Sequence, residues 1–243
     1  MKYSYNEDLF RVDSAEKYYL IGFILADGYI GKDLIRMEIG LAERDKDFLE
    51  LIKNMICPTK QLRYRQNTKS YRVSFDNKAI TSEVMKFVSN RNKSESLLFP
   101  YNLPERYFLD FLRGYSDGDG SISVKRGQKK VNNQIRYYYG LRYRIFGQKD
   151  FLNGLQYNLQ RLGLTRNSVN VNRKKGENVW YIEYGFASAE RLLDEIYKNA
   201  NIKLDRKYQV YRAISEADSD TLGKYYNSEK GHYNMRGTDS LIS

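Results

Sequence analysis

The chain repeats a short pattern in which an apolar stretch ends in aspartate and glycine. The first copy is LIGFILADG at Leu20–Gly28, and the second is LRGYSDGDG at Leu112–Gly120, at an offset of 92 residues. A second pair, KDFL, occurs at Lys46–Leu49 and again at Lys149–Leu152, where the offset has grown to 103. Self-similarity of this kind predicts two copies of one folded unit, with about eleven extra residues in the second copy.

Composition narrows the chemistry that the chain can perform. It has 41 Lys and Arg against 30 Asp and Glu, a net charge of +11 that favours a polyanionic partner. A single cysteine, Cys57, excludes an internal disulfide, and a single histidine, His232, leaves too few ligands for a zinc site. Hydrolysis would therefore depend on carboxylates, lysines and an oxygen-ligated Mg²⁺. With no signal peptide and no apolar run long enough to cross a membrane, we expect an intracellular protein.

Apolar and charged residues alternate after each motif, as they do in half-buried strands. Each copy is predicted to run helix, two strands, helix, two strands, helix, and the first helix is predicted to begin at Asp13 with Glu16 completing a capping box. The extra residues of the second copy fall between its first two strands and should lengthen that hairpin. Its second strand is predicted to place six residues on the apolar face: Ile135, Tyr137, Tyr139, Leu141, Tyr143 and Ile145.

The opposite face of each predicted sheet is rich in arginine and amide side chains, which suit the base edges of a DNA major groove. A face that is merely solvated is the alternative interpretation. The insertion adds the basic stretch VKRGQKKVNNQIR, which we expect to extend along DNA. The candidate DNA-binding residues are Lys32, Arg36, Glu38, Arg63, Arg65, Arg72, Lys125, Arg126, Lys130, Gln134, Arg136, Tyr138, Arg142, Arg144, Asn170 and Asn172.

The two repeated aspartates, Asp27 and Asp119, are the candidate chemical groups. A carboxylate at a helix C-terminus is unfavourable by a few tenths of a kcal/mol or more, because it meets the negative end of the helix dipole. If the two helices pack side by side, Gly22 and Gly114 allow their backbones to approach closely. Both carboxylates would then converge and bind a divalent cation strongly.

These motifs resemble the two signature motifs of the LAGLIDADG homing endonucleases in their single-chain form. The resemblance implies an α+β fold of two pseudo-symmetric αββαββα units, with saddle-shaped antiparallel sheets and paired motif helices at the interface. The expected organisation is an N-terminal arm (1–13), a first unit (14–98), a linker (99–104), a second unit (105–215) and a loosely held C-terminal tail (216–243).

The resemblance further implies a monomeric, site-specific endonuclease that cuts both strands of a long pseudo-palindromic or asymmetric DNA target. Asp27 and Asp119 would bind Mg²⁺ with the backbone carbonyls of Ala26 and Gly118, and Mn²⁺ or Ca²⁺ could take its place. Lys78 fits a lysine that the family often has after the last strand of a unit. Gln148 matches a polar residue at the edge of the site.

Some positions depart from the family pattern. Leu25 replaces the first acid of the first motif, whereas Asp117 keeps it in the second, and the resemblance does not make this position a metal ligand. The second copy has GFASAE where the first has Lys78, and Asp45 stands where the second copy has Gln148. An RNA maturase active in intron splicing, or a DNA-binding regulator without catalysis, remains the alternative to a nuclease. The two intact aspartates favour the nuclease.

Overall fold

The protein is described by a computed structural model for residues 3–88, 97–166, 169–173, 179–227 and 232–233. It divides into two compact units: Met1–Asp119 with Ala200–Leu204, and Gly120–Asn199 with Asp205–Ser243. This division differs from the repeat, because the second motif helix groups with the first unit. In the described part of the chain, every helix is too short or too polar to cross a bilayer.

The first unit contains a four-stranded antiparallel sheet with the strand order β1-β2-β4-β3. Its elements follow the predicted sequence of one repeat, with a short helix before them and the second motif helix after them. They are α1 (Asp8–Arg11), α2 (Ala15–Asp27), β1 (Gly28–Ile30), β2 (Arg36–Ala42), α3 (Lys46–Ile56), β3 (Arg63–Arg65), β4 (Ser70–Asp76), α4 (Lys78–Met85) and α5 (Phe108–Asp119).

The second unit has an antiparallel sheet with the equivalent order, β5-β6-β8-β7, so the predicted fold class is confirmed in both repeats. A short two-stranded ribbon follows near the C-terminus. The elements are β5 (Gly120–Val131), β6 (Gln134–Gly147), α6 (Lys149–Arg161), β7 (Asn172–Arg173), β8 (Trp180–Gly185), α7 (Ala187–Tyr197), α8 (Asp205–Glu216), α9 (Ser219–Tyr225), β9 (Tyr226–Asn227) and β10 (His232–Tyr233).

The first motif helix, α2, is buried on all sides from Lys17 to Leu25, which explains why its sequence is apolar with no polar stripe. The prediction that it begins at Asp13 was wrong by one residue. Ser14 is the N-cap, and its hydroxyl accepts a hydrogen bond from the Lys17 amide. Asp13 instead accepts from the Lys17 ammonium and the Tyr18 hydroxyl, both at 2.9 Å. The expected N-terminal arm is also anchored, because α1 buries Phe10 completely.

The extra residues of the second copy lengthen the β5–β6 hairpin, as predicted. This hairpin pairs along its whole length to Val131 and Gln134, whereas β1 and β2 pair at only three positions. Asn132 and Asn133 have φ values of 49° and 63°, the left-handed pair that a tight two-residue hairpin turn requires. The expected burial of Ile135 and Tyr137 was wrong: they are 59% and 50% exposed. They lie near the tip of the hairpin, beyond the part of the sheet that the helices cover.

The segment after Glu216 is more ordered than the loosely held tail that we expected. Helix α9 buries Leu222, and the hydroxyl of Ser219 accepts a hydrogen bond from the Tyr139 amide of β6 at 2.9 Å. The ring of Tyr226 packs 5.3 Å from that of Tyr139. The hairpin is therefore supported from behind by the chain that follows α8. The rest of the expected tail, 228–231 and 234–243, lies outside the described residues.

Candidate functional site

The two motif helices pack backbone to backbone within the first unit. A Cβ atom built on Gly22 would lie 2.1 Å from the Phe111 carbonyl oxygen, and one built on Gly114 would lie 1.9 Å from the Tyr19 carbonyl oxygen. No side chain can occupy these positions unless the helices separate. The predicted role of both glycines as points of close approach is confirmed.

This packing brings the C-terminal ends of α2 and α5 together. A Cβ on Gly118 would lie 2.4 Å from the Ala26 Cβ and 3.2 Å from a carboxylate oxygen of Asp27. Burial, and then the nearby carboxylates of Asp119 and Asp27, raise the pKa of Tyr115 well above its usual range. Both motif carboxylates therefore lie close enough to the Tyr115 side chain to affect its pKa, which agrees with their lying in the same part of the unit.

The donor set at this position fits a hard divalent cation. Asp27 is exposed and Asp119 half-buried, so both are accessible to a metal ion and its water. The described residues contain no group of three or more His, Cys, Asp or Glu placed to hold a metal. Two carboxylates alone would leave most positions around a magnesium ion to backbone carbonyls, water or phosphate oxygens, and the carbonyls of Ala26 and Gly118 are the predicted backbone ligands.

Asp117, the acid retained only in the second motif, is buried between the helices. Its carboxylate accepts hydrogen bonds from the Tyr19 hydroxyl at 2.6 Å and from the Leu204 amide at 2.8 Å. It thereby joins α5 to α2 and to the segment Ala200–Leu204 of the same unit. Leu25, at the equivalent position of the first motif, packs as an ordinary buried apolar residue.

Lys78 and Gln148 lie at different points of the repeat, and each has a counterpart in the other copy. Lys78 is exposed at the first position of α4, and Ala187 occupies that position in α7. Gln148 is half-buried at the N-cap of α6, where its carbonyl accepts from the Leu152 amide. Asp45 occupies the corresponding N-cap of α3. The assignment of Lys78 and Gln148 to catalysis stays a prediction.

The outer face of the first sheet carries most of its predicted DNA-binding residues. Arg36, Glu38 and Arg72 share this face through the register of β2 and β4, and Arg63 and Arg65 extend it on β3. These strands border a groove of about 440 Å³. Lys32 is exposed in the turn after β1.

Ion pairs hold several side chains in and beside this groove in fixed positions. Arg36 and Lys60 contact Asp76 at 2.9 and 3.3 Å, and Arg72 contacts Glu38 at 2.8 Å. Although burial acts in the opposite direction, hydrogen bonds from Arg72 and Ser74 lower the pKa of Glu38. Sequence reasoning missed Lys60, because it precedes β3 and has no place in the strand alternation.

The second sheet separates its predicted residues between two faces. Arg136, Tyr138, Arg142 and Arg144 share the outer face with Lys125 and the hairpin residue Gln134, whereas Arg126 and Lys130 point to the opposite face. The side chain of Arg126 lies over the rings of Tyr137 and Tyr226. Because adjacent strand residues alternate, the cations of the insertion are divided between the two faces of the sheet.

Two outer-face arginines of β6 differ in accessibility. Arg142 is buried, its Nε donates to the Ser123 hydroxyl, and burial lowers its pKa. Arg144 is half-buried and contacts Glu183, which also pairs with Lys125, both at 2.7 Å. Asn170 and Asn172 are exposed at the sheet edge, and the side-chain Nδ2 of Asn172 donates a hydrogen bond to the Asn170 backbone carbonyl.

Part of the chain is similar in sequence to known proteins. Residues 107–197 match the family of LAGLIDADG-like domains. A DNA polymerase of Thermococcus sp. (strain GE8) is 26% identical over 137 residues, which are 48% of this chain but only 8% of that protein. The chain thus spans a small part of that relative's length.

Solved LAGLIDADG proteins share the fold over nearly the whole chain. The meganuclease I-AabMI, solved with uncleaved DNA, has a TM-score of 0.55 at 15% identity and covers 93% of this chain and 96% of its own. I-CpaMI, also solved with uncleaved DNA, has a TM-score of 0.58 at 13% identity, with coverages of 95% and 97%. I-SmaMI bound to cleaved DNA has a TM-score of 0.53 at 12% identity, with 95% of each chain covered.

The resemblance that the two motifs indicated is therefore confirmed. Segment 107–197 matches the LAGLIDADG-like domain family, and the described chain has the fold of solved LAGLIDADG meganucleases.

Proposed function

We propose that the protein is a site-specific, double-strand DNA endonuclease that uses a divalent metal. The observation that carries the proposal is the convergence of the Asp27 carboxylate on Gly118, next to Asp119. Two accessible carboxylates at one point favour the binding of a cation there. The DNA-bound meganucleases of this fold and the LAGLIDADG-like segment support DNA as the substrate.

In this mechanism Asp27 and Asp119 would hold Mg²⁺, with the carbonyls of Ala26 and Gly118 as further ligands. The metal would supply charge neutralisation and a more acidic water. Lys78 is proposed to orient a water at the first half-site. Gln148 is proposed as a polar contact at the edge of the second, so the two strands would be cut at different rates.

The basic outer faces are proposed to bind the DNA backbone and bases. The first groove is lined by Arg36, Lys60, Arg63 and Arg65, and two carboxylates, Glu38 and Asp76, hold part of this charge in fixed positions. Arginines held by ion pairs present their remaining donors in a defined direction, which suits base readout better than a mobile side chain does.

Selection from a randomised DNA library tests the proposal. With Mg²⁺ present, the cut molecules are expected to share one long asymmetric or pseudo-palindromic sequence. After chelation of the metal, cutting should stop while the same sequence is still retained. Cutting that persists without a divalent ion, or that shows no common sequence, would contradict a metal-dependent site-specific enzyme.

The long β5–β6 hairpin is expected to extend the DNA contact on one half-site. Arg126 of β5 pairs with Tyr139 of β6. Replacing everything between them, Gly127 to Tyr138, by Asn-Gly would shorten both strands equally and close the hairpin with a two-residue turn. This variant should shorten the footprint on one side only and weaken binding, while the cleavage position is unchanged. An unchanged footprint on both sides would rule out this role.

An RNA maturase or a non-catalytic regulator is the alternative function. Both would use the same basic faces, but neither needs two carboxylates at the ends of the motif helices. A splicing assay with candidate introns separates the first of these from the nuclease. Retention of DNA without cutting under any metal condition would favour the regulator.

A further inference from the structure

A cavity of about 360 Å³ lies at the edge of the second sheet, away from the motif helices in sequence and within the second unit. Its lining includes Thr165, Tyr184 and Ser188. Strand β7 pairs with β8 only at Trp180 and Tyr181, so among the described residues the rest of this edge of β8 has no strand partner.

Two hydroxyl groups are buried at this cavity without a hydrogen bond. Thr165 is 8% exposed and Tyr184 is 3% exposed, and neither side-chain oxygen has a hydrogen-bond partner among the residues that the structure describes. Burial raises the pKa of Tyr184 to about 12, and the nearby Thr165 hydroxyl opposes that shift without reaching hydrogen-bonding geometry. A buried hydroxyl left unpaired costs about 1–3 kcal/mol, so a polar occupant would be stabilising.

The cavity also borders the N-terminus of α7. Ser188 lies in the first turn of this helix, and the N-cap residue, Phe186, makes no side-chain hydrogen bond to the helix. In the first repeat the equivalent helix α4 is capped by Asn77, whose side chain accepts from the Ile80 amide. The second repeat has lost that internal cap, and uncapped helix amides favour an anion.

The cavity carries positive charge, which also suits an anion. Arg166 and Arg191 line it, are exposed, and have no ion pair in the described part of the chain. The one carboxylate in the lining, Glu183, already accepts from Lys125 and Arg144 and adds little free negative charge.

We propose that this cavity is a binding site for a phosphate-class oxyanion. Tyr184 and Thr165 would donate their hydroxyl protons to it, the first amides of α7 would face it, and Arg166 and Arg191 would balance its charge. The ligand is a DNA backbone phosphate or a free phosphate group, which share this chemistry. Binding of the free ion does not depend on DNA cleavage.

Calorimetric titration of the full chain with inorganic phosphate, at constant ionic strength in chloride, tests the site. Saturable binding to one site is expected. Arg191→Gln, and separately Thr165→Val with Tyr184→Phe, should each raise the phosphate Kd at least tenfold. Ser188→Asp should abolish binding while raising the melting temperature, because a carboxylate in the first turn replaces the anion.

Matched controls separate the site from general effects of charge and of hydroxyl loss. Lys198→Gln removes a cation at the other end of α7, and Tyr157→Phe removes an exposed hydroxyl; both should leave the phosphate Kd unchanged. Absence of saturable binding, or equal Kd values in the Arg191 variant and its control, would overturn the proposal.

A second measurement identifies the source of the phosphate. If the ligand is DNA backbone, Arg191→Gln should reduce the salt dependence of binding to a random duplex by about one phosphate contact, and inorganic phosphate should compete. If DNA binding is unchanged while phosphate binding is lost, the ligand is a free phosphate group. Either result supports the oxyanion site, and a failure to cleave DNA affects only the proposed nuclease.

Discussion

Asp27→Asn or Asp119→Asn is expected to abolish double-strand cleavage while DNA binding is largely kept. Asparagine keeps the shape of the side chain but removes the negative charge that holds the metal. Losing one such ligand costs about 4 kcal/mol of transition-state stabilisation, roughly a thousandfold in rate. The measurement is single-turnover cleavage of the cognate site together with a binding titration in Ca²⁺.

An exposed acid in the first turn of α3 provides the matched control. Asp47→Asn makes the same chemical change far along the chain from either motif and should leave both rates and affinity unchanged. If the double variant of Asp27 and Asp119 cut its site at the wild-type rate, the assignment of these carboxylates would be wrong.

Gly114→Ala is expected to have the largest effect on stability, with Gly22→Ala close to it. In an ordinary helix this change is favourable by about 1 kcal/mol, because alanine is the better helix former. Here the new methyl group would stand 1.9 Å from the Tyr19 carbonyl oxygen, so the helices must move apart. We expect a net loss of about 3 kcal/mol, or roughly 6–12 °C in melting temperature.

Gly163→Ala distinguishes this steric effect from the ordinary cost of replacing a glycine. A Cβ at Gly163 meets no atom within 4 Å, but its φ of 69° is unfavourable for alanine. That variant should lose only about 1 kcal/mol. Equal losses at Gly163 and Gly114, measured by thermal unfolding, would argue against the close contact of the two motif helices.

The parts of the fold that the sequence predicted are those with a local or repeated signal. The two motifs, their glycines and the doubled KDFL segments identified both repeats, since residues that serve the same role twice stand out without an alignment. Strand alternation placed Leu141, Tyr143 and Ile145 correctly in the interior. It failed for Ile135 and Tyr137, because alternation shows which face a residue shares but not whether anything covers that face.

Several features of the candidate sites had no such signal. Lys60 joins the first groove because Asp76 lies across from it, and the two are separated by a whole hairpin. Arg142 has the sequence context of an exposed base reader, yet it is buried against Ser123. The cavity beside α7 has two features that no local pattern predicts. The N-cap Phe186 makes no side-chain hydrogen bond to the helix, and two buried hydroxyls come together from different parts of the chain.

The sequence by itself determined the repeat, the order of helices and strands, the motif carboxylates and the excess of positive charge, because these depend on residue types and their spacing. Only the tertiary structure decided which cations share a face, which arginines stay accessible and where unpaired hydroxyls meet a helix end. Those outcomes depend on contacts between residues far apart in the chain. Such contacts are set by packing and hydrogen bonding, which the local pattern of a sequence does not record.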